Sequence, residues 1–507
     1  MKGSLILYIA ITAAALILAY AADACRRGAA GTSCAQESRR AGTGAQRQSG
    51  AMRSTGRILS TQQAGSALFE RPGIRRGRAA SFVFLAALFL VLFVPEALRQ
   101  ETGNDYMRYV EFFHLAYVHA YVPTEPGFNW LCRLIYGLCG YENYLLLFAL
   151  FAAGTILFFL AAMRQQAEDF PLTFLLFMFS GYYFQSYNTV RYYLALAIVL
   201  YAQHFLFDGR WPAAALFFVL AALFHKSALV VFLFYPLCML RWKKRDLPLL
   251  LCAGAGVLIL REPVMDLIVK LYPSYAGTSI LAEGGQVSPG NIARNALILV
   301  LALWAVRAWK PLTDKAHTEA TDRRDTRKSL TDKIHTEAAD GWDIRKPLTD
   351  RAHTEGTDGL AALQRDPSLR FRLHCTVLAL LLYICGWFIP ELSRIGYYLM
   401  VPQIFLIPQL LRIREEEGAA EEILPEKGSA DGTEERQERK KKCGGKRIRD
   451  GGRSCSTRLV RAGIILAALL NFAVFLHSAG ASNIRILPYR SFLFHELSQT
   501  PSRSVGE

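Results

Sequence analysis

Two small polar clusters interrupt long apolar runs between residues 170 and 240, and their side chains suit the binding of an anion. The first cluster contains Gln185, Asn188 and Arg191, and the second contains His225, Lys226 and Ser227. A charged side chain at membrane depth is costly, so such residues usually face a protein interior or a wet cavity. We therefore interpret the two clusters as parts of one candidate site.

Arg191 is a candidate ligand for phosphate, because the planar guanidinium of arginine matches phosphate oxygens and stays charged. Asn188 lies three residues earlier, so the two side chains would project from one face of a helix into the same space. The alternative is a structural arginine that satisfies backbone carbonyls where a helix breaks.

The second cluster combines a titratable imidazole, His225, with a point cation, Lys226. We expect Ser227 to cap the helix that follows. The alternative is a capped hairpin tip in which Lys226 extends towards the membrane surface without contacting a substrate.

A third polar break, residues 391–394, lies between two apolar runs and precedes Tyr397 and Tyr398. Arg394 is a second candidate ligand for an anion, and Tyr397 is a candidate substrate contact. The alternative for Arg394 is an ion pair with Glu391 at a helix end.

Asp105 and Glu125 lie in an aromatic-rich segment, residues 98–143, whose composition suits a sugar. Carboxylates bond sugar hydroxyls, while aromatic faces cover the apolar sides of the ring. The alternative is that these acids hold the segment together through ion pairs with Arg108 or Arg133. A hydroxyl nucleophile needs a general base, and either of these acids or His225 is a candidate for it.

Composition places the chain among all-α polytopic membrane proteins. It has 507 residues, of which 52% are hydrophobic, and at least ten long apolar runs. The formal charge of +16 gathers in loops beside apolar runs, which is the positive-inside pattern and argues against nucleic-acid binding. Ten scattered cysteines without metal-ligand spacing predict neither a zinc site nor a disulfide framework.

Charge and length together predict about twelve transmembrane helices, some of them short, with both termini outside. A single crossing over residues 211–240 would leave Arg241 and the basic residues after it outside, so we predict a hairpin there. Each arm is about 21 Å long, against a hydrocarbon core of about 30 Å. The similar hairpin of residues 170–207 predicts that Arg191 and His225 face one outward recess.

The predicted organisation follows the apolar runs. The segments are a first transmembrane helix (1–22), an Arg-rich disordered cytoplasmic loop (23–80), a membrane core (81–309) with outer loops 98–143 and 261–291, a cytoplasmic insert (310–371), membrane helices (372–411), a charged cytoplasmic loop (412–461), and a last helix with an outer tail (462–507).

The insert repeats every eighteen residues, and the repeat carries His317, His335 and His353. On a helix these histidines would share a face and could bind a metal or a partner; the polar composition favours a solvated linker.

Six short motifs occur in an order that resembles the EpsG family, which is itself similar to the Wzy-type polysaccharide polymerases. They are Gly103-Asn104-Asp105-Tyr106 with Tyr109, Glu125-Pro126-Gly127-Phe128, Asn188-Thr189-Val190-Arg191, Phe224-His225-Lys226-Ser227-Ala228, Ser393-Arg394-Ile395 with Tyr397-Tyr398, and Pro488-Tyr489. The resemblance leaves out residues 23–80, the repeat insert and the loop before residue 462, which look like additions.

The resemblance implies polymerisation of polyprenyl-pyrophosphate-linked oligosaccharide repeat units into exopolysaccharide or capsule. The reaction would occur at the outer face of a bacterial cytoplasmic membrane, without a metal or cofactor, among membrane lipids and other exopolysaccharide assembly proteins. On this hypothesis Arg191 and Arg394 hold the donor pyrophosphate, and His225 or an outer acid activates the acceptor hydroxyl. The alternatives are a transporter or flippase of lipid-linked saccharide and a membrane acyltransferase that modifies glycan.

Overall fold

The computed structural model describes residues 2–47, 72–122, 124–243, 246–271, 287–307, 366–389, 392–423, 436–480 and 484–493. This part of the chain is built from helices, which confirms the predicted all-α class. The insert with His317, His335 and His353 lies outside the described residues, as does Glu391.

The first half of the chain forms nine helices within the described residues: α1 Lys2–Arg47, α2 Pro72–Ala97, α3 Tyr106–Tyr117, α4 Pro126–Cys139, α5 Tyr144–Gln166, α6 Phe170–Phe179, α7 Tyr182–Gln185, α8 Val190–Phe207 and α9 Trp211–Phe224. The chain continues with the 3₁₀ helix Lys226–Val230, α10 Val231–Met239, α11 Asp246–Ile259, α12 Arg261–Leu271, α13 Pro289–Arg307, α14 Pro367–Cys385, α15 Leu392–Met400, α16 Gln403–Ile423 and α17 Arg436–Ser478.

Six helices of the described part are long and apolar enough to cross a membrane, which makes this a membrane protein. They are α1, α2, α5, α8, α14 and the apolar part of α17. A seventh span would arise if α11 and α12, bent by 79° at their junction, crossed together. The predicted count of about twelve is not confirmed, because several apolar runs form shorter helices.

Two apolar runs are broken by local backbone chemistry. In residues 170–187, α6 ends before Gly181, whose φ of 78° belongs to the left-handed region that favours glycine. In residues 395–411, Pro402 separates α15 from α16, because proline has no N–H to continue the hydrogen-bond ladder.

The predicted hairpin of residues 211–240 is confirmed. Phe218 and Phe232 lie seven residues on either side of His225, and their ring centroids are 5.5 Å apart. In a continuous helix fourteen residues would separate them by about 21 Å, so the chain folds back at His225.

Helices replace two predicted irregular segments near their ends. The loop 23–80 was expected to be disordered, but α1 continues to Arg47 and α2 begins at Pro72. Similarly, α16 extends into the predicted loop 412–461 as far as Ile423, and α17 begins within it at Arg436. Alanine, arginine, glutamine and glutamate favour helix, so a membrane helix continues into such sequence after its apolar part ends.

The segment 484–493 packs against the residues that follow α2. The amide of Gln100 donates to the carbonyl of Arg490 (3.0 Å), and that of Gly103 donates to Arg485 (2.9 Å). Ile486 and Tyr489 of this segment are buried. These bonds fix the backbone that leads into α3, where the first candidate carboxylate lies.

The bundle has two chemically different ends. At the Asp169 end, Asp169 pairs with Arg461 of α17, and Glu168 lies 3.6 Å from Arg412 of α16. At the Arg191 end, the start of α8 meets α3, α4, the hairpin tip and α15. The names Asp169 end and Arg191 end are used below.

Candidate functional site

Three consecutive residues at the start of α8 direct their side chains to three different neighbours. Arg191 contacts Tyr109 of α3 and Phe128 of α4. The Tyr192 hydroxyl donates to the Arg394 carbonyl of α15 (2.9 Å). The next residue, Tyr193, hydrogen-bonds the side chain of Gln185 in α7. The first turn of α8 is therefore the point where the predicted polar clusters meet.

Arg191 forms an ion pair with Glu125, and both side chains are mostly buried, with 14% and 11% of their surface exposed. The guanidinium carbon lies 5.6 Å from the Tyr109 ring centroid and 5.4 Å from that of Phe128, which are favourable cation–π contacts. Its buried Nε has no hydrogen-bond partner among the described residues. The guanidinium thus keeps donor capacity beyond the carboxylate that holds it.

Glu125 also reaches the hairpin tip. Its Oε1 accepts a hydrogen bond from the backbone N–H of Lys226 (3.1 Å), while Oε2 pairs with Arg191. The alternative in which Glu125 pairs with Arg108 or Arg133 is not observed, since its carboxylate bonds α8 and the hairpin instead. Arg191 and the residue after His225 are therefore held by one carboxylate.

The local sequence explains how α4 reaches that position. Glu125 occupies the N-cap position of α4 and Pro126 follows at the first helical position, where its missing N–H costs nothing. A Cβ on Gly127 would lie 2.6 Å from the Leu223 carbonyl oxygen, so only glycine allows this approach of α4 to the hairpin.

His225 caps the 3₁₀ helix, which corrects the prediction that Ser227 is the cap. The Nδ1 atom of His225 accepts a hydrogen bond from the backbone N–H of Ser227 (3.3 Å) and lies 2.7 Å from the Ser227 hydroxyl. Because a backbone N–H only donates, Nδ1 carries no proton in this arrangement, and the neutral ring is protonated at Nε2. His225 therefore presents a donor at Nε2.

Burial, together with the positive charges of Arg394, Arg191 and Lys226, lowers the pKa of His225 below its ordinary value. These arginines come from α15 and α8, so elements distant in sequence act on one imidazole. The ring also lies edge-on to Tyr192, at a centroid distance of 5.2 Å. The neutral form of His225 is favoured.

Arg394 joins this group through its backbone and its charge. Its carbonyl accepts the Tyr192 hydroxyl, and four residues later the Tyr398 hydroxyl lies 3.3 Å from that of Ser227. Burial raises the pKa of Asp105, whereas Arg394 is the largest of the nearby charges that lower it. Arg394 is therefore close to both His225 and Asp105.

Asp105 is held beside Asn188. The Asn188 side-chain oxygen accepts the backbone N–H of Asp105 (3.1 Å). A Cβ on Gly103, which has a φ of 97°, would lie 2.7 Å from the Tyr187 carbonyl. The Asp105 carboxylate makes no cap hydrogen bond and no ion pair with another described residue. Of the two acids of the site, Glu125 has both oxygens bonded, whereas the Asp105 oxygens make no such bond to a described residue.

Two predicted binding residues lie at the edge of this group. Lys226 is exposed, although its backbone N–H bonds Glu125. Tyr397 lies edge-on to Tyr182, with ring centroids 6.0 Å apart. The name recess is used below for the group of Arg191, Glu125, His225, Arg394 and Asp105.

Sequence reasoning gave no role to Tyr192 and named Tyr398 only as a flanking residue. Tyr192 stacks edge-on against both His225 and Tyr398 and holds the Arg394 carbonyl. The available signal was the Tyr-Tyr pair that follows each candidate arginine, at residues 192–193 and 397–398. Within the described residues, no group of three His, Cys, Asp or Glu side chains is arranged to hold a metal ion.

Comparison with protein families agrees with the motifs. The model of the EpsG family matches residues 82–318, which confirms the predicted resemblance. The match includes the motifs around Asp105, Glu125, Arg191 and His225, while Arg394 lies beyond it. The family supports a polymerase-type role in exopolysaccharide biosynthesis at a membrane. The searches of the curated proteins and of the solved structures give no match.

Proposed function

We propose that this protein, with its EpsG-family core, polymerises polyprenyl-pyrophosphate-linked oligosaccharide units by glycosyl transfer. The observation that supports the proposal is the junction at Glu125, whose carboxylate bonds both Arg191 and the backbone N–H of Lys226 at the hairpin tip. Cations, a neutral imidazole and a carboxylate with free oxygens meet there, and these are the groups that metal-independent glycosyl transfer requires.

Arg191 and Arg394 bind the donor pyrophosphate. Negative charge grows on the phosphate oxygen as its bond to the sugar breaks, and preorganised cations stabilise that charge in a water-poor site. The unpartnered Nε of Arg191 supports this role, because the guanidinium has a donor left for a phosphate oxygen.

His225 donates a hydrogen bond from Nε2 to the leaving phosphate oxygen. This assignment replaces the earlier alternative of His225 as general base, because a ring whose Nδ1 accepts from Ser227 has no free basic nitrogen. The lowered pKa keeps the ring neutral, so it contributes a donor without adding a further full positive charge.

Asp105 is the general base. The acceptor hydroxyl oxygen attacks the anomeric carbon, its proton moves to the Asp105 carboxylate, and the electron pair of the broken sugar–oxygen bond stays on the pyrophosphate. Glu125 is less suited to this step, because both of its oxygens are engaged. It is a positioning residue.

The Arg191 end faces the outside of the cell in this proposal. Arg461, Arg412 and Arg27 gather at the Asp169 end, and basic residues mark the cytoplasmic side of membrane proteins. The Tyr8 hydroxyl of α1 bonds the Ile486 carbonyl beside the residues that precede α3. The first turns of α1 and the segment 484–493 therefore lie together at the outer end.

The test is reconstitution of the purified protein in liposomes with lipid-linked oligosaccharide, followed by gel analysis of glycan length. A ladder of products without an acyl donor or an ion gradient is the expected result. Movement of unextended oligosaccharide across the bilayer would support the flippase instead. Acylated glycan formed only with an acyl donor would support the acyltransferase.

A further inference from the structure

A second polar group, carried by α7, α8, α14 and α15, adjoins the recess. It contains four tyrosines and a glutamine, here called the tyrosine cluster: Tyr182, Tyr193, Tyr383, Tyr397 and Gln185. The Tyr193 hydroxyl donates to the Gln185 side chain (2.6 Å), and Tyr182 lies edge-on to Tyr397.

Two of these hydroxyls are buried without a partner. Tyr182 is 1% exposed and Tyr383 is 2% exposed, and neither hydroxyl oxygen has a hydrogen-bond partner among the described residues. A buried unsatisfied hydroxyl costs about 1 to 3 kcal/mol, so each one calls for an explanation. A Cβ on Gly396 would lie 2.4 Å from the Tyr383 hydroxyl, so glycine next to Tyr397 leaves room for that oxygen.

Arg294 of α13 adds a cation to the tyrosine cluster. Its guanidinium carbon lies 5.6 Å from the Tyr182 ring centroid, and the side chain is half-buried. Arg294 has no hydrogen bond or ion pair with any residue in the described part of the chain, whereas Arg191 in the recess has Glu125. A half-buried guanidinium beside free hydroxyl donors is complementary to a phosphate.

This group adjoins the recess. Tyr192 lies edge-on to His225. The next residue, Tyr193, belongs to the tyrosine cluster, and the ring centroids of Tyr192 and Tyr193 are 5.5 Å apart. On α15, Arg394 of the recess lies three residues before Tyr397 of the tyrosine cluster. The tyrosine cluster and the recess are therefore joined through α8 and α15.

Polymerisation joins two lipid-linked substrates, and each carries a pyrophosphate. We propose that Arg294 and the tyrosine cluster bind the pyrophosphate of the second lipid-linked substrate, the one whose glycan supplies the acceptor hydroxyl. This assignment of the ligand rests on the proposed function. It gives the two substrates separate anion sites on either side of α8, so that their glycans meet above Tyr192.

The experiment measures equilibrium binding of radiolabelled geranylgeranyl pyrophosphate to the purified full-length protein in detergent. The wild type is expected to bind two equivalents, and Arg294→Ala and Arg191→Ala one each. Arg294→Lys should regain the second equivalent with weaker affinity, which separates loss of charge from misfolding. The control is Arg261→Ala, an exposed arginine beside Glu262, which should leave two equivalents.

Tyr182→Phe provides a second test, because it removes one orphan hydroxyl and keeps the ring. About a tenfold loss of affinity at one of the two sites is expected. Unchanged binding by both Arg294→Ala and Tyr182→Phe would overturn the proposal. The proposal would also be overturned if, in the wild type, phosphatidylglycerol displaced the labelled probe from the Arg294 site as readily as unlabelled probe does. That site would then hold a phospholipid headgroup.

Competition with inorganic pyrophosphate and with geranylgeraniol separates the two parts of the ligand. We expect the pyrophosphate to compete and the uncharged alcohol to fail, and the reverse result would contradict an anion site. If two equivalents bind as described but no polymer forms on reconstitution, the proposed function fails while the second anion site stands. If polymer forms and Arg294→Ala still binds two equivalents, only the second site fails.

Discussion

Glu125 and Arg191 form a mostly buried ion pair that joins the start of α4 to the start of α8. Removing one partner of such a pair leaves an uncompensated charge, which costs about 3 kcal/mol or more. We therefore expect Glu125→Ala to lower the thermal unfolding temperature of the purified protein markedly. The double variant Glu125→Gln with Arg191→Met should be more stable than Glu125→Ala, because no charge is left alone.

The matched control for this pair is Glu262, whose partner Arg261 lies 3.4 Å away with both side chains largely exposed. Exposed pairs contribute about 0 to 1 kcal/mol, so Glu262→Ala should change the unfolding temperature little. Equal losses in Glu125→Ala and Glu262→Ala would show that the buried pair has no special role.

His225 is expected to act through a proton on Nε2, and two amide replacements test this. The amide nitrogen of glutamine can approximate Nε2, whereas that of asparagine approximates Nδ1. His225→Gln should therefore retain more polymerase activity than His225→Asn in the reconstituted assay. If His225 were the general base, both variants would lose activity alike, by about 100-fold or more.

The sequence predicted the residues of the recess better than their partners. Arg191 and His225 were found because a polar residue in an apolar run is costly, and their common position followed from arm length and loop charge. The pairing of Arg191 with Glu125 joins positions 66 residues apart. No local pattern specifies such a pair, since it depends on how α4 packs against the hairpin.

The helix count shows the same limit. Hydrophobic length identifies apolar runs, but Gly181 and Pro402 interrupt two of them. The bond between Nδ1 of His225 and the Ser227 amide was also hidden, because capping by histidine has no strong sequence signature whereas serine is a common cap. Backbone detail of this kind decides which nitrogen of His225 faces the substrate.

Asp105 should set the acid limb of the pH–rate profile. Burial raises its pKa, so the carboxyl stays protonated to a higher pH than the ordinary value of about 3.9. A base must be deprotonated, so activity should be lost as the pH falls through this raised pKa. Arg394, Arg108 and Arg191 lower the pKa, so Arg108→Ala, a change outside the recess, should move the limb to higher pH.

Asp105→Asn should reduce the rate by about 100-fold or more and remove this limb, since the amide cannot accept the proton. Initial rates of product formation from pH 4 to about 8 in the reconstituted assay provide the measurement, a range wide enough to include a base poised near the operating pH. An unchanged acid limb in Asp105→Asn would exclude Asp105 as the base. A limb that shifts equally in Arg108→Ala and Arg133→Ala would contradict a specific effect of Arg108.

Two glycines of α4 give a test of the contact between this helix and the hairpin. A Cβ on Gly127 would meet the Leu223 carbonyl oxygen at 2.6 Å, whereas a Cβ on Gly137 has nothing within 4 Å. Gly127→Ala must push α4 away from the hairpin and carry Glu125 with it, at a cost of about 1 to 3 kcal/mol. Gly137→Ala should be neutral or stabilise the protein by about 0.5 to 1 kcal/mol, because alanine favours helix.

Thermal unfolding and polymer synthesis of the two variants should therefore diverge, with Gly127→Ala losing both stability and long product while Gly137→Ala keeps them. Long product from Gly127→Ala at wild-type level would mean that activity does not depend on Glu125 holding Arg191 against the hairpin tip.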